Sequence, residues 1–113
     1  MELFNNLIYE YKKGMRDLAM YTCTREDYPP YAEQLLKNNV EYIIREIGNN
    51  KINIFFGKIE CLVILKQFSN EELNEITKYE DFILGIMLGY SRNEQYKRLL
   101  GLSPDLYTNT CST

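Results

Sequence analysis

The chain contains no histidine and no tryptophan. Without histidine it lacks the residue that most often serves as general base or transition-metal ligand, which removes Ser-His-Asp triads and most zinc-water chemistry together. Any catalysis would have to rest on Cys, Tyr, Lys or carboxylates, and no metal or cofactor is expected. A surplus of positive charge is also missing: 13 Lys and Arg stand against 16 Asp and Glu, for a formal net charge of −3. That balance argues against a nucleic-acid partner, because neutralising phosphates requires a cationic face. Cysteine is scarce, and Cys23, Cys61 and Cys111 are far apart, so neither a disulfide framework nor a metal knuckle is expected. No segment approaches the ~18 consecutive apolar residues of a membrane-spanning helix. The opening MELFNNLIYEYKKG has no cationic start and no small-residue cleavage site. The expectation is a cytoplasmic protein with no membrane partner.

What is present reads as one small domain over residues 1–113, with a tail that frays from about 107. Leu3, Leu7, Ile8 and Tyr11 recur at helical spacing, and Gly14 stops that helix after residue 13. Residues 18–23 read as a short strand. Pro29 and Pro30 sit where a second helix opens, and Asn38-Asn39 closes it. Residues 40–47 form a strand with two apolar faces, and Gly48-Asn49-Asn50 supplies hairpin chemistry into the next strand.

The segment from Lys51 to Leu62 is the most informative, because hydrophobic periodicity changes from two to about 3.6 residues across Gly57. A strand runs straight into a helix there. The resulting order is strand, helix, strand, strand, helix, an α+β core with a three-stranded mixed or antiparallel sheet and additional N- and C-terminal helices. A right-handed crossover makes the first two strands parallel and leaves the apolar 52–56 strand between them, antiparallel to both. Beyond it, Ser69 or Asn70 caps a short helix to Ile76. Thr77 and Glu80 form a capping box for a strongly apolar helix over 78–90, and Ser91 opens a last helix that Gly101 ends.

Four features invite a functional reading. Gly57 and Lys58 place donors and a charge at a helix N-terminus, where a small anion binds, although one Gly-Lys pair is equally a plain turn. Cys61 lies near the start of the same helix, where the dipole activates a thiol, yet Ile59, Leu62 and Val63 around it suggest burial. Gly85 and Gly89 are four residues apart and would let another backbone approach closely, within the fold or across a dimer. The 10 tyrosines include Tyr9, Tyr11, Tyr28, Tyr31, Tyr90 and Tyr96 near helix ends, suited either to a binding surface or to a core margin. Lys12, Lys13 and Arg16 are a local basic cluster that reads as a solvated helix end.

Tyr9-Glu10-Tyr11-Lys12-Lys13-Gly14, the strand Lys51 to Gly57, and Glu80-Asp81-Phe82-Ile83-Leu84-Gly85 with Leu88-Gly89-Tyr90 resemble an uncharacterised bacterial family, the domain of unknown function numbered two thousand and twenty-three. The resemblance spans about residues 7–102. It implies three strands, five helices and a homodimer, and brings no catalytic residue. An association with genes beside a flavodoxin would imply docking to a flavodoxin-like partner in electron transfer.

The residues themselves also favour a homodimer, since a three-stranded sheet has two free edges and two apolar faces to cover. The reading is a small cytoplasmic homodimeric protein acting as a non-catalytic binding or regulatory module. The alternatives are an electron-transfer accessory and a small-anion-binding protein at Gly57.

Overall fold

The computed structural model describes residues 1–70 and 73–101. The tail beyond 101, with Cys111, lies outside the described residues. Five α-helices and three strands are described: α1 (Glu2–Lys12), β1 (Leu18–Thr24), α2 (Tyr28–Lys37), β2 (Tyr42–Gly48), β3 (Lys51–Gly57), α3 (Ile59–Lys66), α4 (Lys78–Met87) and α5 (Arg92–Leu100). This is the expected α+β arrangement.

The sheet order is β1-β3-β2, with β3 antiparallel to both neighbours. β3 takes the centre because it is apolar on both sides, and a central strand is the one that can bury both. Ile52, Ile54 and Phe56 face one way, onto Phe4 and Ile8 of α1 and Leu35 of α2. Phe55 faces the other way with Leu18, onto Leu62 and Leu65 of α3 and Leu84 and Met87 of α4. Each such side chain, fully buried, stabilises the fold by about 1.5–3 kcal/mol. Helices thus lie on both sheet faces, while Ile44 and Ile47 of the edge strand β2 remain 40% exposed.

The β2–β3 hairpin turns on Gly48, Asn49 and Asn50, all at positive φ (82°, 51° and 61°), with a register shift between Glu46 and Gly48. Helix α2 ends with Asn39 at φ 56° and the Val40 N–H donating to the Leu35 carbonyl, a closed C-terminal motif that commits Val40 to the helix end. β2 therefore starts at Tyr42, two residues later than expected. Residues 71 and 72, where the short helix before Ile76 is expected to begin, lie outside the described residues, and its described part is a 3₁₀ turn, Leu73–Glu75.

Helix α4 ends at Met87 rather than Tyr90. Gly89 has φ 85°, its N–H donates to the Ile86 carbonyl, and the Tyr90 N–H donates to the Gly85 carbonyl. That pair of bonds is the Schellman closure, which demands a left-handed residue where Gly89 stands. The N-terminal end matches expectation: the Glu80 N–H donates to Thr77 Oγ1 (3.1 Å) and the Thr77 N–H to Glu80 Oε1 (2.9 Å).

Candidate functional site

At the β3–α3 junction Gly57 has φ 146° and pairs with Leu18 of β1. A Cβ there would lie 2.2 Å from the Asp17 carbonyl oxygen, so only glycine lets the two chains come this close. The next N–H, from Lys58, donates to that same carbonyl at 2.9 Å. The Lys58 ammonium lies 3.1 Å from Asp17 Oδ1. The hydrogen bond to Asp17, and then its charge, hold the ammonium above its usual pKa. The charge offered to an anion at Gly57 and Lys58 thus already faces a carboxylate, and Glu60 adds another in the first turn.

Cys61 is buried, with 7% of its surface exposed, among Leu62, Leu65 and Phe55. Burial pushes its thiol pKa up, with Asp17 adding to the shift and Lys58 opposing it. A nucleophilic thiol needs the opposite balance.

The structure separates Gly85 from Gly89. Gly85 lies in α4 against α5, where an added Cβ would fall 2.0 Å from Gln95 Oε1. Gln95 is itself only 2% exposed, and that oxygen has no hydrogen-bond partner among the described residues. Among the described residues Gly89 has nothing within 4 Å of an added Cβ, so it terminates a helix and packs against no other described backbone. The shared packing role expected of the pair belongs to Gly85 alone.

Tyr28 and Tyr31 take the core-margin role open to them, packed between α2 and the sheet, but sequence reasoning missed their pairing with Tyr21 and Tyr42. Tyr21 and Tyr31 hydroxyls lie 3.1 Å apart, and Tyr28 donates to Tyr42 at 3.3 Å. Phe4 packs against the Tyr21 and Tyr31 rings at 5.2 and 4.7 Å. Burial first, then the Tyr42 hydrogen bond, pushes the Tyr28 pKa up to about 12. The Tyr21 hydrogen bond first, then burial, takes Tyr31 up to about 12. Cys23 packs against this core, its pKa raised by burial and by Asp27. The alternation of β1 puts Tyr21 and Cys23 on one face, but the hydroxyl partner of Tyr21, Tyr31, comes from α2, and the second pair joins α2 to β2.

Elsewhere Glu80 does more than cap α4. It also accepts the Ser69 N–H (2.7 Å) and hydroxyl (3.0 Å), tying the α3–α4 connection to the helix start. The Thr77 and Ser69 N–H groups hold its carboxyl below the usual range. Asp81 accepts from Arg98 at 2.9 Å at the rim of an apolar cleft of about 340 Å³ floored by Met20, Leu84 and Leu88. The basic cluster is partly neutralised: Arg16 pairs with Glu10 at 3.3 Å, and Lys13 sits 5.6 Å over the Tyr9 ring.

The two helical layers differ in what they show to solvent. Helices α1 and α2 turn charges such as Glu2, Lys12, Glu33 and Lys37 outward, among single exposed apolar residues, Leu3 and Tyr9 in α1 and Leu36 in α2. Helices α3 and α4 expose three large apolar residues each. Ile59, Val63 and Ile64 of α3 are 54%, 46% and 38% exposed, and Tyr79, Ile83 and Ile86 of α4 are 67%, 38% and 38% exposed. A helix as apolar on all sides as α3 is normally buried all round, and α4, whose charges are confined to Lys78, Glu80 and Asp81, exposes a comparable apolar stripe.

No cluster of His, Cys, Asp and Glu able to hold a metal occurs among the described residues, and no described helix is long and apolar enough to cross a membrane. No curated protein matches the chain. A family model described as protein of unknown function (DUF2023) matches residues 2–101, and the chain belongs to that family.

Proposed function

We propose that the protein is a homodimeric, non-catalytic binding or regulatory module of the cytoplasm. The observation that carries this reading is the outward apolar surface of α3 and α4, which a soluble monomer has no reason to keep. The groups with chemical potential support it from the other side. Cys61 is buried with a raised pKa, Lys58 faces Asp17, and the hydroxyls of Tyr21, Tyr28, Tyr31 and Tyr42 are paired with each other. Two free cysteines, Cys23 and Cys61, suit a reducing compartment.

Light scattering of the full chain at micromolar concentration tests the assembly. The expected mass is twice the 13.4 kDa of one chain. A monomer mass across that range would refute the dimeric reading.

A further inference from the structure

We infer that the two copies meet through helix α4, packed antiparallel against α4 of the second copy, rather than through the β2 edge of the sheet. This inference rests on the dimeric reading above and specifies its surface.

The β2 edge is a poor place for strand addition. The Arg45 side chain donates to the Ile44 carbonyl at 3.3 Å, occupying a backbone acceptor of the edge strand. Glu46 is held by Arg25, and the register shift between Glu46 and Gly48 distorts the end of the strand. Bulges and charges of this kind are how proteins keep sheet edges from pairing.

Helix α4 has the opposite character. Its inward residues are Leu84, Gly85 and Met87. At 100° per residue, the outward face falls to Tyr79, Phe82, Ile83 and Ile86, with spacings of three, one and three. All four are apolar or aromatic, and Phe82 stacks on Tyr96 of α5 at 5.9 Å, which extends the face.

The four positions are symmetric about the midpoint of α4, which runs Lys78–Met87. A two-fold axis through that midpoint sets Tyr79 of one copy against Ile86 of the other and Phe82 against Ile83, the last two beside the axis. Every outward residue then meets an outward apolar residue, the self-complementarity that a two-fold interface requires. The acidic Glu80 and Asp81 are already engaged elsewhere, by Thr77 and Ser69 and by Arg98.

The area is also adequate. The exposed fractions of Tyr79, Ile83, Ile86, Tyr96 and Leu100 amount to on the order of 500 Å² of largely apolar surface. A standard interface of about 800 Å² per partner is a little over half apolar and needs about that much.

The test is sedimentation and light scattering of three full-length variants beside the parent. Ile86→Glu is expected to give the 13.4 kDa mass with unchanged far-UV circular dichroism, and Ile44→Glu on the β2 edge is expected to remain dimeric. Ile83→Cys, in a Cys111→Ser background, is expected to form a disulfide-linked dimer under mild oxidation, because residue 83 lies beside the axis. That variant decides the matter if Ile86→Glu fails to fold. A parent that sediments as a monomer removes the dimeric reading itself. A dimeric parent that survives Ile86→Glu and does not cross-link at Ile83→Cys leaves that reading standing and overturns the α4 interface. Dissociation by Ile44→Glu moves the interface to the sheet edge.

Discussion

Replacing Gly57 with alanine is expected to be among the most damaging single-methyl changes in this protein. The residue has φ 146°, a conformation nearly confined to glycine, and forcing a side chain into such a region costs about 1–3 kcal/mol. The new Cβ would also sit 2.2 Å from the Asp17 carbonyl oxygen. That neighbour is backbone, so relief requires the ends of β1 and β3 to part by about an ångström, an overpacking cost of about 1–3 kcal/mol. Parting them weakens the hydrogen bond from the Lys58 N–H to Asp17, worth roughly another 1 kcal/mol. The sum is about 3–7 kcal/mol, a large part of the roughly 5–15 kcal/mol that holds a domain of this size together. Gly89→Ala provides the control, because Gly89 has φ 85° but open space around it, so only the strain of about 1–2 kcal/mol applies. Urea unfolding followed by far-UV circular dichroism measures both. The midpoint for Gly57→Ala should fall well below that for Gly89→Ala with the same slope. Equal midpoints would refute the argument that the Asp17 contact, beyond the backbone angle, makes Gly57 obligatory.

Gly85→Ala gains up to about 1 kcal/mol of helix propensity, yet its Cβ displaces the buried Gln95 amide, so we expect a net loss of about 1–2 kcal/mol. In a Gln95→Ala background the same change should stabilise, and a gain in both backgrounds in urea melts would contradict the packing assigned to Gly85. Cys61 should react with iodoacetamide at neutral pH at least about tenfold more slowly in the native protein than in the urea-unfolded chain, given its burial and raised pKa. Fast native labelling of Cys61, mapped by mass spectrometry, would make thiol chemistry the leading function. Tyr28 and Tyr31 have folded pKa values pushed up to about 12 against an unfolded value of about 10. Their contribution is complete below pH 10 and lost as pH rises through the folded value, so stability should fall between about pH 10 and 12. Tyr28→Phe should flatten that fall in alkaline thermal melts, and an unchanged slope would refute the Tyr28–Tyr42 assignment.

The sequence determined whatever is decided within about one turn of chain. Gly48-Asn49-Asn50 forms the hairpin because those residues accept positive φ, and Thr77 with Glu80 makes the capping box because three-residue spacing closes it. The two-sided apolarity of Ile52–Phe56 was enough to place β3 in the middle of the sheet, since no edge strand could bury it. The tertiary structure decided what depends on which surfaces meet. A glycine that closes a helix and one that admits a neighbouring helix look alike in a sequence, so the separate roles of Gly85 and Gly89 emerged only when α5 brought Gln95 against Gly85. Lys58 looked like a charge free to hold an anion, but Asp17, distant in sequence, is brought beside it by the pairing of β1 with β3. The tyrosine pairs join β1 to α2 and α2 to β2. Above all, the apolar character of α3 and α4 was plain in the sequence as a reason for burial. Only packing could show that each helix has one sheet to lie against and therefore keeps apolar residues on its opposite side exposed.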